Sequence, residues 1–281
     1  MNENKPVKHG ALWTVLFAVV SLFWIFPIVL VLINSFKQKA YISKNAFSLP
    51  AGKAFVGLEN YVRGIETTQF FASFGWTLLI TVGSVVLILV CTSMCAWWIV
   101  RVNNWAAKLL YTLFLFNMIV PFQMVMFTLS KTADTLRLNT PFNICVIYLG
   151  FGAGLAVFMF TGFMKSVPIA IEEAAMIDGA NLWQTIWRVY MPCAKPAYMS
   201  FAVISVSYHW NNYLWPLIVT KSPTNRTLTV GLAIFAKSKE ANMQWSNVCA
   251  ATLIIIAPLL LAFFIMQKQF MDSFVSAGVK E

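Results

Sequence analysis

Carboxylates crowd into one short segment of a chain that carries few charges. Glu172, Glu173 and Asp178 lie within seven positions, although the 281 residues include only ten acidic ones and 59% of the chain is hydrophobic. The sequence has no GxxxxGK[ST] loop, GxSxG elbow or HExxH helix, so these acids carry no signature of catalysis. We therefore predict that the acidic segment, residues 165–197, faces water and contacts a partner there.

A second set of candidate residues combines amide and hydroxyl groups with aromatic rings. Such groups bind neutral sugars through hydrogen bonds and through stacking on the apolar face of the sugar ring. The same residue types also form hydrogen bonds between membrane helices and interfacial aromatic belts, and both interpretations stay open for each residue. The candidates for a substrate path are Asn117, Gln123, Tyr208, Asn211, Asn212 and Tyr213.

Metal and cofactor sites are not predicted. The two histidines, His9 and His209, are far apart and have no acidic neighbour in the sequence. The five cysteines form no CxxC pair, and most of them fall within apolar runs, where they pack as small apolar residues. We therefore expect no catalytic residue, no metal ligand and no cofactor in this chain.

Long apolar runs must position these residues. The mean hydropathy is +0.73, and a spanning helix needs roughly 20 mostly apolar residues. Backbone groups cannot stay unpaired in hydrocarbon, so the spans should be helices. We predict an all-α polytopic membrane protein with a single domain over 1–281 and six transmembrane helices. The predicted spans lie near residues 11–35, 74–100, 106–129, 142–164, 198–220 and 246–267.

Charge restricts the classes of partner. The net charge of +10 is spread over all loops instead of forming one basic tract, so nucleic-acid binding is not predicted. With six spans, Lys and Arg divide almost evenly between the two sides of the membrane, so the positive-inside rule gives no orientation. The predicted spans contain almost no acidic residue, which disfavours an ion-coupled transporter, because such proteins commonly place acids near the midplane.

The acidic segment has the local pattern of two short helices. Ser166 is placed to cap the first helix, and Gly179 is placed to end it. Asn181 and Gln184 have the spacing of a capping box at the start of a second helix, which we expect Pro192 and Pro196 to terminate before the fifth span. On physical grounds alone, an amphipathic linker at the membrane surface explains this pattern as well as a docking site does.

Four stretches resemble a known family. The string EEAAMIDGANLWQTIWRVYMPCAKP resembles the EAA motif of permease subunits of bacterial ABC importers. That family usually has Ile and Leu where this chain has Val189 and Met191. Residues 210–217 and 119–123 are similar to the carbohydrate-uptake, maltose-type branch. The tail 276–281 is similar to the second permease subunit of that branch.

The resemblance implies partners and an orientation. In the family, the EAA segment docks as a coupling helix on a cytoplasmic ATPase subunit, so the segment and both termini would be cytoplasmic in a bacterial inner membrane. The implied partners are a second permease subunit, two ATPase subunits that hold Mg-ATP, and an extracytoplasmic solute-binding protein. The implied ATPase-coupling residues are Glu173, Ala174, Ala175, Asp178, Gly179, Pro192, Gly278 and Lys280.

The resulting prediction is a permease subunit of an ATP-driven sugar importer, which forms half of the translocation path and has no ATPase site of its own. An ion-coupled secondary transporter or a channel subunit is the alternative, although it leaves the EAA spacing unexplained. A membrane-embedded enzyme would need a catalytic constellation that the sequence lacks. The sequence does not name the sugar, and glycerol-phosphate-type substrates also belong to this branch.

Overall fold

Helices make up the fold, as the hydropathy predicts. The computed structural model describes residues 10–138, 140–220, 222–237 and 245–278. Within these ranges the chain forms helices, turns and loops, with a single antiparallel bridge between Lys37 and Phe55. The all-α prediction is therefore confirmed.

The helices have the following bounds. In chain order they are α1 (Gly10–Ser35), α2 (Lys39–Lys44), α3 (Glu59–Thr67), α4 (Phe70–Val102), α5 (Trp105–Ile119), α6 (Phe122–Thr135), α7 (Pro141–Met164), α8 (Ile169–Ile177), α9 (Leu182–Thr185), α10 (Met191–Cys193), α11 (Lys195–Asn211), α12 (Leu214–Val219), α13 (Leu228–Lys237) and α14 (Trp245–Gly278). A π-helical turn, Ile186–Tyr190, joins α9 to α10. Short 3₁₀ turns lie at Gly52–Ala54 and Pro223–Asn225.

Four helices are long and apolar enough to cross a membrane. They are α1, α4, α7 and the first part of α14, Trp245–Ile265. The predicted spans at 11–35, 74–100, 142–164 and 246–267 fall on these four helices. Local signals start α7 where expected, because Thr140 accepts a hydrogen bond from the Asn143 amide and Pro141 occupies the first turn.

The third predicted span, 106–129, is bent instead of straight. Helices α5 and α6 meet at an angle of 106°. Pro121 causes the break, since it has no amide hydrogen and disfavours helical backbone in the preceding residue. Val120 is accordingly extended, with a ψ of 113°. Counted as one span, the pair brings the candidate spans in the described residues to five.

The fifth predicted span, 198–220, is also interrupted. Helix α11 ends at Asn211 and α12 begins at Leu214, so neither piece reaches spanning length. Asn212 lies in the break with extended backbone. Its side-chain oxygen accepts from the Trp215 amide at 3.4 Å, and its carbonyl accepts from the Thr229 hydroxyl at 3.0 Å. Six uninterrupted spans are therefore not found in the described residues.

The chain divides into two compact units, 1–70 with 232–257 and 71–231 with 258–281. In the first unit, the loop after α1 is organised around a buried lysine. The Lys37 ammonium donates to the carbonyls of Asn45 and Ala46 at 3.2 and 3.1 Å, and the Asn60 amide donates to the carbonyl of Lys37 at 2.9 Å. Burial lowers the pKa of Lys37. The single domain predicted over 1–281 stays a prediction.

The second unit contains the core that positions the candidate sites. Phe160 of α7 and Phe201 of α11 pack edge to face, with ring centroids 5.5 Å apart. Gly154 lets α5 lie directly against α7, because a Cβ at that position would stand 2.8 Å from the Phe114 carbonyl oxygen. A separate apolar cluster joins Met164 at the end of α7 to Tyr190 in the acidic segment.

Candidate functional site

The first helix of the acidic segment begins later than predicted. Helix α8 starts at Ile169 after Pro168, which has extended backbone and makes no side-chain cap. Ser166 does not cap α8. Its hydroxyl instead donates to the Phe163 carbonyl at 2.7 Å, because the end of α7 leaves carbonyls that need donors.

Gly179 ends α8 as predicted, with a positive φ of 87°. The Ala180 amide donates to the Ala175 carbonyl at 3.0 Å, and the Gly179 amide donates to the Met176 carbonyl at 3.1 Å. This pair of bonds is the Schellman arrangement, which needs a left-handed residue at its corner. A Cβ on Gly179 would meet nothing within 4 Å. Within the chain, Gly179 is therefore required for its positive φ, and not because a side chain at this position would clash.

The predicted capping box is confirmed. The Gln184 amide donates to the Asn181 side chain, and the Asn181 amide donates to the Gln184 side chain, both at 2.9 Å. The second helix passes Pro192 and ends at a turn at Ala194, which lies between the two prolines predicted to terminate it and is followed by α11. The π turn explains how the helix passes Pro192, since the Met191 amide bonds to the Ile186 carbonyl and the wider turn tolerates a residue without an amide hydrogen.

Glu172 is buried, contrary to the expectation that the whole acidic segment faces a partner. Only 2% of it is exposed. One carboxylate oxygen accepts from the Arg101 guanidinium at 2.6 and 3.0 Å, and the other accepts from the Trp97 indole at 2.9 Å. Arg101 also donates to the Val167 carbonyl at 3.2 Å. This set of bonds, the Arg101–Glu172 node, fixes α8 to the end of α4.

One exposed part of the acidic segment is an apolar corner that carries acids. We call the corner Met176, Ile177, Asp178 and Gly179 the tip. Ile177 is 86% exposed and Met176 is 48% exposed, and Glu173 is exposed beside them. Apolar side chains that a turn exposes to solvent are typical of surfaces that bind another protein.

The remaining coupling candidates precede the tip in α8, lie farther along the chain, or fall outside the described residues. Ala174 is exposed, Ala175 is partly buried and Pro192 is exposed. Gly278 is the last residue of α14. Lys280 lies outside the described residues.

A cavity of about 390 Å³ lies between α5, α6, α7 and α11. It brings together two of the six substrate-path candidates, Asn117 and Tyr208, and adds Ser205 and His209. The Asn117 side-chain oxygen, the Ser205 hydroxyl and the His209 Nδ1 are buried without a hydrogen-bond partner among the described residues. The aromatic rings of Phe122 and Phe151 form part of the cavity wall. The cavity thus combines free polar atoms with aromatic faces.

The other four candidates do not line this cavity. The Asn211 amide donates to the Ser207 carbonyl of its own helix at 2.9 Å. Asn212 holds the break between α11 and α12. Gln123 and Tyr213 are exposed. A role for these four residues in a substrate path with Asn117 and Tyr208 stays a prediction.

Comparison with known proteins decides the family. Residues 88–273 match the family described as binding-protein-dependent transport system inner membrane component. A probable starch degradation products transport system permease protein of Thermoanaerobacterium thermosulfurigenes is 33% identical over 96% of this chain and 97% of its own length. The chain belongs to this transport permease family. The predicted resemblance is therefore confirmed.

Further relatives agree with this permease assignment. A diacetylchitobiose uptake system permease protein of Streptomyces coelicolor is 27% identical over 97% of this chain and 87% of its own length. In the crystal structure of a bacterial ABC transporter involved in the import of the acidic polysaccharide alginate, one chain has the same fold. Its TM-score is 0.81 and its identity 23%, over 96% of this chain and 99% of that one.

The matched region of the permease contains both candidate sites and the Arg101–Glu172 node. Sequence reasoning missed Arg101 and Trp97 as partners of the acidic segment, since they lie 71 and 75 positions away. One signal was available. Arg101 is the first charged residue after a long uncharged stretch that begins at Thr67, and a lone charge at the end of a permease span needs a partner.

Proposed function

We propose that this permease forms half of the translocation path of an ATP-driven sugar importer in a bacterial inner membrane. Its partners would be a second permease subunit, two ATPase subunits and an extracytoplasmic solute-binding protein, with Mg-ATP held by the ATPases. The observation that carries the proposal is the exposed tip, which the Arg101–Glu172 node ties to α4. An ion-coupled transporter or channel is not favoured, because relatives over the full length are uptake-system permeases.

The tip would act as the ATPase contact. Ile177 and Met176 offer apolar area, Glu173 and Asp178 offer acceptors for basic groups, and Gly179 leaves the backbone uncovered. The node would transmit a displacement of the tip to α4, because a buried ion pair with several hydrogen bonds holds its two side chains in one relative geometry. The tail from Gly278 to Lys280 would add to the same interface.

The broken helices fit a six-span arrangement. We infer that α5 with α6 and α11 with α12 each cross the membrane as a broken pair, with both termini and the acidic segment in the cytoplasm. Non-helical backbone at membrane depth is tolerated where it lines a cavity, and Val120 and Pro121 at the first break line the 390 Å³ cavity.

The cargo would be an oligosaccharide. Relatives are named for starch degradation products, diacetylchitobiose and arabinooligosaccharides. The cavity lining of Asn117, Ser205, Tyr208 and His209 offers uncharged hydrogen-bonding groups, which suit sugar hydroxyls.

Ile177→Asp should detach the ATPase while the permease still folds. Ile177 is 86% exposed, so the change removes little packing within the chain. Burial of one isoleucine on a partner is worth about 2 kcal/mol, or roughly thirtyfold in Kd, and a new charge adds desolvation cost. Co-purification of the ATPase subunits and ATPase activity in proteoliposomes measure the loss.

The matched control for this experiment is Leu49→Asp. Leu49 is 72% exposed in the loop after α1, which the proposed orientation places on the opposite side of the membrane. ATPase binding should be normal in this variant. Normal binding by Ile177→Asp would remove the tip from the interface.

Tyr208→Phe should weaken sugar uptake. Tyr208 lines the cavity, and loss of one hydroxyl contact costs about 0.5–1.5 kcal/mol, or roughly twofold to thirteenfold in the KM for uptake. Tyr213→Phe is the matched control, because Tyr213 does not line the cavity. Uptake of labelled maltooligosaccharides and arabinooligosaccharides by the complete importer in proteoliposomes measures both. A larger loss in Tyr213→Phe would place the path elsewhere.

A further inference from the structure

A second cavity, of about 360 Å³, lies at the end of the bundle that carries the acidic segment. Three elements form it: the end of α4 with the following turn, the first part of α5, and the end of α7. Its polar lining consists of Asn103, Lys108, Tyr111, Thr161 and Lys165. None of these residues belongs to the tip or to the substrate cavity.

The cavity is positively charged and its charge is uncompensated. Within the described residues, ion pairs form only between Arg63 and Glu59 and between Arg101 and Glu172. Lys108 and Lys165 therefore have no carboxylate partner there, and both are exposed. Lys165 instead stands over the ring of Tyr111, with its Nζ 5.9 Å from the ring centroid, which holds the ammonium at the cavity wall.

The start of α5 adds to the positive potential. Asn103 has a left-handed backbone with a φ of 45°, and it makes the tight turn between α4 and α5. Asn104 caps α5 by accepting from the Ala107 amide at 2.8 Å. The remaining amides of the first turn of α5 and the positive end of its dipole favour an anion beside Lys108.

The surroundings of the cavity are those of a membrane interface. Trp105, one turn before Lys108, is 77% exposed, and exposed tryptophans collect at the level of the lipid headgroups. Leu109, Leu113 and Phe116 continue from it along α5 as an exposed apolar stripe. The helix thus presents lysine at the headgroup level and an apolar strip where acyl chains run.

We propose that this cavity binds the headgroup of an anionic phospholipid. Lys108 and Lys165 contact the phosphate, Asn103 and the start of α5 supply neutral donors, and the acyl chains lie along Leu109, Leu113 and Phe116. A basic pocket between helices is the form of site that recognises anionic lipid headgroups. The site would lie in the cytoplasmic leaflet of the membrane, and this assignment rests on the proposed function. The binding of the lipid does not depend on it.

The position of the site suggests its effect. Ile99 and Val100 line the cavity, and Arg101 follows them directly in α4 and holds Glu172. Lys165 lines the cavity, and Val167, two residues farther along the chain toward α8, accepts a hydrogen bond from Arg101. A bound headgroup would therefore brace the root of the acidic segment against α4 and α5.

Native mass spectrometry of the full-length chain in detergent tests the binding. Phosphatidylglycerol and phosphatidylcholine with the same acyl chains are titrated against the wild type and the double variant Lys108→Gln/Lys165→Gln. Each lysine near an anionic surface contributes about fivefold in affinity, so the double variant should retain phosphatidylglycerol about thirtyfold less well. The wild type should retain phosphatidylcholine poorly.

Matched controls separate this site from general attraction. The double variant Lys39→Gln/Lys131→Gln loses the same charge from two other exposed lysines and should bind phosphatidylglycerol like the wild type. Glycerol phosphate at millimolar concentration should not displace the lipid, because it lacks the acyl chains. Displacement by glycerol phosphate would assign the cavity to a soluble phosphate and overturn the lipid proposal.

The complete importer supplies the last arm. In proteoliposomes, ATPase-coupled uptake should rise with the fraction of phosphatidylglycerol in the wild type and the control, and respond much less in Lys108→Gln/Lys165→Gln. Loss of an ATPase subunit from this variant, with unchanged lipid retention, would mean that the lysines contact protein and would overturn the proposal. If the wild type retains the lipid but shows no ATPase-coupled uptake, the proposed function is contradicted and the lipid site is still supported.

Discussion

Glu172→Ala should leave the permease unable to couple ATP hydrolysis to uptake and should also destabilise it. The change removes the acceptor of both the Arg101 guanidinium and the Trp97 indole. Only 13% of the Arg101 side chain is exposed, so its charge stays inside without a partner. Removal of one member of a buried ion pair costs about 3–5 kcal/mol. Thermal unfolding in detergent and the ratio of ATP hydrolysed to sugar transported measure the two effects.

The neighbouring acid supplies the control. Glu173 is exposed, so Glu173→Ala should unfold at the temperature of the wild type and lose affinity for the ATPase only. The double variant Arg101→Leu/Glu172→Leu should recover much of the lost stability, because two apolar residues can replace a buried pair at little cost. If Glu172→Ala and Glu173→Ala had the same unfolding temperature, the node would not hold α8 in place.

Gly179→Val should abolish docking of the ATPase. Gly179 has a φ of 87°, and a residue with a Cβ pays about 1–2 kcal/mol to adopt the left-handed region. Valine is worse than alanine because its branched Cβ crowds the backbone. The Schellman bonds of Gly179 and Ala180 would break, and Ile177 would lose its position. Coupled ATPase activity should fall to the uncoupled level, while the membrane-inserted amount of permease stays unchanged.

Gly179→Asn separates two explanations for a glycine at this corner. One is the left-handed backbone conformation, and the other is a backbone that the partner can approach closely. Asparagine tolerates the left-handed region, and a Cβ meets nothing within the chain. We expect this variant to keep most of the coupling if the conformation of the turn is what matters. Equal loss in the asparagine and valine variants would show that the partner needs an uncovered backbone, and would contradict the conformational explanation.

Local signals were sufficient for some of these features. The ends of α8 and α9 near Gly179 and Asn181 depend on hydrogen bonds between residues at most five positions apart, so the sequence pattern predicts them directly. Hydropathy likewise located the long helices. It did not show the breaks at Pro121 and Asn212, because a window average over an apolar run takes no account of a missing amide donor or of a side chain that pairs with the backbone.

Long-range pairing could not be predicted in the same way. Glu172 belongs by composition to an acidic, water-facing group, and its burial depends on Arg101, which is 71 positions away. Asn117 and Tyr208 line one cavity through the packing of α5, α7 and α11, and Gly154 allows the close approach of α5 to α7. Nothing in the residues around Asn211 or Tyr213 distinguishes them from Tyr208. The difference arises from how α11 packs.

The π turn Ile186–Tyr190 sets the direction in which the tip points around the helix axis. A π turn contains one residue more than the α-helical turn that it replaces, and each helical residue rotates the chain by about 100°. The extra residue therefore determines the direction in which everything before it points around the axis of the helix that leads to α11. We therefore expect an insertion or deletion here to change the direction of the tip. The Arg101–Glu172 node constrains the same direction from α4, so the length of this turn and the site of that ion pair have to agree.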